Sequence, residues 1–446
     1  MTCAISPEEF ARRRKRLMQA IGRDAAAVVA SGAEKIRSRD THFPFRVDSD
    51  FFYLTGFSEP DAVAVLRPGA KDGQFVMFCR ARNPDIERWE GRRAGPEAVC
   101  EHWGADLAYP TERLDELMPQ LLADRETLYC PLDSESTLGA KIGRWRRRLT
   151  EQVRSGVRAP QALVSLDSVV HPMRLVKSRS EIAIMRRAAQ ISAAAHCRAM
   201  QACRPGLHEY TLEAELLSEF ARRGSRSPAY NAIVGSGANA CVLHYTANDQ
   251  PLVDGDLVLI DAGAEYQGYA ADITRTFPVN GRFTPPQAAI YNLVLKAQQA
   301  AINRVKPGNR WNAPHDAAVR VITHGLVELG LLRGEVNALI KSHAYRRYFI
   351  HRTGHWLGMD VHDVGDYQHD GRWRLLQPGM VLTVEPGIYI PPDARGVARK
   401  WRGIGVRIED DVVVTRSGHE VLSRGVPKTI AAIEALMAGS ATASKS

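Results

Sequence analysis

No apolar run in this chain approaches the ~20 residues that a membrane-spanning helix needs. The longest run near the N-terminus covers only Ala25 to Ala30, so no membrane partner is expected. The N-terminus does not read as a secretion signal either. Glu8 and Glu9 precede the basic run Arg12-Arg13-Arg14-Lys15-Arg16, with no adequate apolar segment behind it. Cysteine is sparse: Cys3, Cys79, Cys100, Cys130, Cys197, Cys203 and Cys241 are odd in number and form no Cys-x-x-Cys pair. They read as buried or idle thiols of a reducing compartment, and a cytoplasmic location is expected.

What the chain does have is the bulk of a soluble globular protein: 446 residues, 45% hydrophobic and 24% charged. That length exceeds one ordinary core and predicts two domains. A net charge of +9, from 59 basic and 50 acidic residues, is concentrated at residues 12–16 and at Arg144-Trp145-Arg146-Arg147-Arg148. Nucleic-acid binding is one reading of such clusters. Neither interleaves aromatics at base-stacking spacing, so solvated helix faces at subunit contacts are preferred and no nucleic-acid partner is expected. Excess basicity could equally offset an acidic centre elsewhere.

The first third reads as α/β. A helix is predicted over Pro7–Ile21, and buried strands over Ala25–Ala30, Ala62–Leu66, Phe75–Cys79 and Thr127–Cys130, with helices over Leu114–Ala123 and Lys141–Arg154. A boundary near His171-Pro172 gives domains 1–172 and 173–446. Ser178-Arg-Ser-Glu181 is a capping box that opens a helix to about Cys203, followed by a helix from Thr211 to Arg223. A similar phrase returns at Thr284-Pro285, with a helix running to Lys306-Pro307-Gly308 and another from His315 to Leu329. Two such phrases suggest a duplicated αβ unit with a site between its halves.

The chemistry is carried by acids in apolar, β-rich stretches predicted as strands, namely Leu257–Ala262, Tyr269–Pro278, Val381–Ile390 and Val406–Thr415. On these lie Asp261, Asp272, Glu385 and Glu409, and His355 joins them from HRTGHWLGMDVHD. Four carboxylates meeting without cations would repel by roughly 20 kcal/mol, six pairs at ~4 kcal/mol each. That exceeds a domain's net stability of ~5–15 kcal/mol. They must scatter, protonate or hold metal, and two divalent ions against four carboxylates and a hydroxide come close to neutral. Oxygen donors with one imidazole suit hard-to-borderline divalent ions better than zinc alone.

In order and spacing these five residues resemble the ligands of the pita-bread metallopeptidases, the family of methionine aminopeptidase, prolidase, creatinase and aminopeptidase P. Ser49-Asp50-Phe51-Phe52-Tyr53-Leu54-Thr55-Gly56-Phe57 with Glu59-Pro60 is similar to aminopeptidase P in particular. So are Leu243-His244-Tyr245-Thr246, His355-Trp356-Leu357-Gly358 and Val361-His362-Asp363. The resemblance covers nearly the whole chain. It implies an α+β architecture: a smaller α/β creatinase-like domain followed by a duplicated αβ pita-bread catalytic domain. It also implies a metal-dependent exopeptidase that hydrolyses the N-terminal Xaa-Pro bond through a hydroxide bridging two divalent ions. The ions would be Mn2+ by family habit, with Co2+ or Zn2+ able to use the same ligands.

By that resemblance, Asp261 chelates one ion, Asp272 and Glu409 bridge both, and His355 and Glu385 complete separate shells. Glu385 also moves the proton, His362 hydrogen-bonds the scissile carbonyl or its oxyanion, His244 contacts substrate near the proline, and His351 lines the proline pocket. Tyr389 and Arg407 support the ligands. Asp40, Arg46 and Trp89 belong to the N-terminal domain, with Trp89 near a substrate entrance of a homodimer or homotetramer. Two positions depart from the family pattern: Val47 stands where Gln is common, and Arg352 where Gly is usual. The alternative within the family is a prolidase restricted to Xaa-Pro dipeptides. The alternative outside enzymology is a non-catalytic pita-bread binding protein, which retention of all five ligand residues disfavours.

Overall fold

Ser178 and Glu181 cap each other's backbone at the start of a helix spanning Arg179–Ala202, and Thr284 and Gln287 do the same for Pro285–Ile302. Each helix is followed by a second, Glu209–Arg222 and Ala313–Glu328 respectively, so the paired-helix phrase of the sequence occurs twice in space. The computed structural model describes residues 5–132 and 137–443. These fall into two compact units that divide between Arg174 and Leu175, inside a helix over Asp167–Leu175 that accommodates Pro172.

The first unit is built on a six-stranded mixed sheet. In spatial order its strands are Leu107–Pro110, Phe75–Cys79, Val63–Leu66, Ala25–Ala30, Thr127–Cys130 and Ala162–Ser165. Ala25–Ala30, Val63–Leu66 and Phe75–Cys79 are apolar along their whole length because helices cover the sheet. The basic run at 12–16 is not a solvated face throughout. Arg13 and Arg14 are buried, donating at 3.1 Å to the carbonyls of Tyr53 and Leu54 at the end of the helix Ser49–Thr55. Cations there satisfy orphan carbonyls and oppose the helix dipole. In the second cluster Trp145 is likewise buried and donates to Asp115 Oδ1 at 2.7 Å.

The second unit carries the duplicated helices against short antiparallel ladders. Leu257–Asp261 pairs with Ile233–Ser236 and Thr274–Pro278, while Val381–Val384 pairs with Asp410–Val414 and Gly387–Ile390 with Ile404–Arg407. The expected strand over 269–278 is broken: Tyr269–Ala270 and Thr274–Pro278 are separate, and Asp272 lies in the gap. The long strands expected over 381–390 and 406–415 are also each interrupted, at Glu385-Pro386 and at Ile408-Glu409. Proline offers no N–H to a ladder, which makes Pro386 a natural place for the break.

Candidate metal centre

Two interruptions face one another. One ladder ends at the pair Val384–Asp410 and the next begins at Gly387–Arg407, so Glu385 and Glu409 lie on opposite sides of a single gap. Freed from the regular pleat, both side chains turn inward. Three of the four acids therefore sit between strands rather than on them, and Asp261 is the last residue of its strand, opposite Thr274. A bond from Glu409 N–H to the Thr274 carbonyl at 3.1 Å joins the two halves, and Thr274 Oγ1 donates to Glu409 Oε2 at 2.7 Å.

The histidine stretch is irregular, with no helix linking His351 to His355. Instead His355 N–H donates to Thr383 Oγ1 at 3.1 Å and Thr383 N–H to the His355 carbonyl at 3.0 Å, which lays this segment along the strand leading to Glu385. Gly354 is required there, because a Cβ would lie 2.0 Å from the Thr383 carbonyl oxygen.

The five sequence-predicted ligands come together. Donor atoms of Asp272, His355 and Glu409 all lie within 4.8 Å of one another. His355 Nε2 is 3.3 Å from Asp272 Oδ2 and 3.9 Å from Glu385 Oε1. The Tyr230 hydroxyl ties Asp261 Oδ1 to Asp272 Oδ1, at 2.5 Å from each. Its neighbour Arg407, buried, donates to the other oxygen of Asp261 and to the Tyr389 hydroxyl at 3.1 Å. Arg407 thus engages Asp261 from a separate ladder.

The protonation pattern is that of crowded anions. Burial pushes Asp261 up to about 6 and Glu385 up to about 7, against the opposing pull of Arg407 and His355. Glu409 is driven well above its usual range by burial and then by the neighbouring charges of Asp272, Glu385 and Asp261. Asp272 runs the other way. Burial works to raise it, but the hydrogen bond and charge of His355 prevail and lower it, while His355 itself is pushed up to about 9.

The donor set fits divalent ions. His355 Nδ1 faces its neighbour's carbonyl, that of Trp356, at 2.9 Å, which fixes the proton there and leaves Nε2 free to ligate. Four carboxylates held together by protonation and one imidazolium would be relieved by cations at the same locus.

Around this centre lie the other predicted histidines. The His362 ring is 4.3 Å from that of His355, exposed, with a pKa lowered by partial burial and then by the charge of His355. Its position is anchored by the next residue, Asp363, paired with Lys177 at 2.7 Å in the interior. His351 is pushed down to about 3, by burial first and then by Arg407. His244 is exposed, and its charge bears on both His351 and His362. Asp40 and Trp89 belong to the first unit. Asp40 is in the exposed turn between Ile36–Ser38 and Thr41–His42, and Trp89, 91% exposed, is in the helix Pro84–Glu90. Arg46 caps locally, donating to Ser49 Oγ at 3.2 Å.

Residues 183–416 match metallopeptidase family M24, and residues 10–129 match the aminopeptidase P N-terminal domain. The chain belongs to metallopeptidase family M24. Within that family it is 47% identical to the Xaa-Pro aminopeptidase of Escherichia coli K12, over 97% of this chain and 98% of that protein. The solved Pseudomonas aeruginosa aminopeptidase PepP superposes with a TM-score of 0.98 at 53% identity, covering 99% and 100% of the two chains. Zinc-substituted E. coli aminopeptidase P in complex with product superposes at 0.95 with 47% identity, covering 98% and 99%. The architecture is therefore an aminopeptidase P N-terminal domain followed by the M24 pita-bread domain.

Three residues of the M24 centre escaped the sequence reading. Tyr230 lies in a Pro-Ala-Tyr-Asn turn with no acid beside it, and nothing local marks it. Thr274 looks like an ordinary strand threonine. Asp411 did carry a signal, as the third acid of Glu409-Asp410-Asp411 in an apolar stretch. It is buried and accepts from Asp272 N–H at 3.2 Å through both oxygens.

Proposed function

We propose that this M24 chain is an Xaa-Pro aminopeptidase, a hydrolase that releases the first residue from peptides with proline at the second position. The convergence of Asp261, Asp272, His355, Glu385 and Glu409 on one buried locus carries this reading, and the kinship with Xaa-Pro aminopeptidases supports it. These five would hold two divalent ions; Mn2+, implied by the family resemblance, is consistent with an oxygen-rich, single-imidazole set, and Co2+ or Zn2+ could use the same ligands. Bound ions would supply Lewis acidity toward the scissile carbonyl and toward water.

The chain's own residues do the remainder. Glu385 takes the proton of the attacking water at an Oε and returns it to the departing proline nitrogen. An Xaa-Pro bond has no N–H, so no enzyme can grip it through that hydrogen. Ring recognition takes its place. His351, neutral, packs edge-on to Phe349 and against Tyr389, and with exposed His244 offers a wall for the pyrrolidine. His362, with its depressed pKa, is a neutral donor for the carbonyl oxygen or oxyanion. The acidic cluster attracts the substrate's free α-ammonium, which favours an exopeptidase.

Asp40 and Trp89 remain candidates for the substrate entrance of a homodimer or homotetramer. The six described cysteines are free, which supports a reducing, cytoplasmic setting. Among the described residues no helix is long and apolar enough to cross a membrane. Metal-stripped protein should be inactive and should regain cleavage of Xaa-Pro-Xaa tripeptides with Mn2+. Failure to cleave any Xaa-Pro bond with Mn2+, Co2+ or Zn2+ would overturn the reading, and cleavage of Xaa-Pro dipeptides alone would convert it to prolidase.

A further inference from the structure

The segment 351–355 presents its side chains to two sides. His351 and His355 approach the carboxylates, with His351 Nδ1 3.7 Å from Glu385 Oε2. Arg352 and Gly354 instead line a cavity of about 690 Å³, whose other walls include Trp311, Tyr367 and Trp373. The Arg352 guanidinium lies over the Trp373 ring, 4.8 Å from its centroid. That contact rests the cation on an aromatic face at the cavity wall, and the residue is exposed to solvent.

Among the described residues Arg352 forms neither an ion pair nor a side-chain hydrogen bond. Its charge bears on the exposed Asp316 and on the ring of His315. The one acid in the same cavity, Asp366, is mostly exposed and faces Arg374 at 3.8 Å. A guanidinium held by an aromatic face, turned into a cavity and lacking a carboxylate, is a recognition group awaiting an anion. It stands one residue from His351. An extended peptide advances about 3.5 Å per residue, so a chain leaving the proline would bring its next two or three residues within the arginine's reach.

We propose that Arg352 is a specificity residue that binds a carboxylate of the peptide on the leaving-group side, two or three positions beyond the proline. The inference rests on the Xaa-Pro aminopeptidase reading. The carboxylate can be an acidic side chain or the C-terminal carboxylate of a short peptide, and the two sources are separable.

The test uses the Mn2+-loaded full chain and matched peptides. One pair differs by Glu against Gln at the second or third residue beyond the proline, within a C-terminally amidated peptide. A second pair differs by a free against an amidated C-terminus on an otherwise neutral peptide. The acidic member of at least one pair should be preferred by about fivefold in kcat/KM, chiefly through KM and weakening with salt. In Arg352→Gln the acidic-to-neutral ratio should fall to one, and in Arg352→Glu it should invert. A preference in the first pair alone assigns the side chain; in the second alone, the chain end. Equal rates within both pairs, or a ratio that survives Arg352→Gln, overturns the proposal while the aminopeptidase reading stands. Absence of any Xaa-Pro cleavage overturns both.

Discussion

The Arg352 carbonyl lies 2.7 Å from His351 Nδ1 and holds the ring proton there, so the Tyr389 hydroxyl donates to His351 Nε2 at 2.8 Å. The same hydroxyl accepts from Arg407, whose other arm holds Asp261. A ring in the proposed proline pocket and a proposed metal ligand are thereby linked through one phenol. Tyr389→Phe should leave a buried guanidinium N–H without its acceptor and cost about 1–3 kcal/mol in denaturant unfolding. In kinetics it should raise KM for Xaa-Pro-Xaa peptides, and unchanged KM and kcat would sever this link.

Glu385→Gln keeps the shape and removes the proton carrier. Turnover should drop by about 10²–10⁴, with the circular dichroism spectrum unaltered. Undiminished kcat would refute the role assigned to Glu385.

Chelation should destabilise the second unit, because the buried carboxylates lose their counter-charge. Readdition of Mn2+ at 100 times its Kd should restore about 2.7 kcal/mol, visible as a concentration-dependent rise in Tm. A Tm indifferent to chelator and metal would contradict the fit of these residues to ions.

In the first unit Asp50 accepts from Arg174 Nη1 at 2.8 Å and lies 3.3 Å from His171 Nε2. Burial works to raise Asp50 and to lower His171, yet the hydrogen bond and opposite charges prevail, so the acid lies below and the imidazole above its usual range. The acid's contribution is present above about pH 4 and fades as pH falls further; the imidazole's is present below about pH 6.5 and fades as pH rises through its raised pKa. The stability deficit of His171→Gln should therefore be greatest near pH 5–6 and shrink toward pH 9. Urea titrations showing the deficit growing with pH would reverse the assignment.

A Cβ on Gly263 would lie 1.6 Å from the Ala271 carbonyl oxygen, between Asp261 and Asp272. Gly263→Ala must push these two segments apart, at about 1–3 kcal/mol or more. It should weaken metal retention in equilibrium dialysis, and wild-type affinity would show that this close approach does not hold the ligands in place.

The four inner strands of the first unit's sheet were readable to within a residue, while the edge strands Leu107–Pro110 and Ala162–Ser165 were not. Ala25–Ala30, Phe75–Cys79 and Thr127–Cys130 are short apolar runs between turn signals, and the pattern itself demands burial. So were the caps at Ser178 and Thr284, whose partners are three residues away. In the second unit the ligands were legible because acids in apolar stretches are costly without partners. The strand breaks at Glu385-Pro386 and Ile408-Glu409 were missed, since a gap in a ladder depends on the strand opposite.

By itself, then, the sequence determined which acids could not be buried uncompensated, and the family resemblance joined four of them with His355 as one set. Only the tertiary structure decided what steadies them. Tyr230 and Thr274 reach their acids from 31 and 135 positions away in the chain. Hydrogen bonds act over about 3 Å of space, and separation along the chain carries no record of which hydroxyl will arrive there.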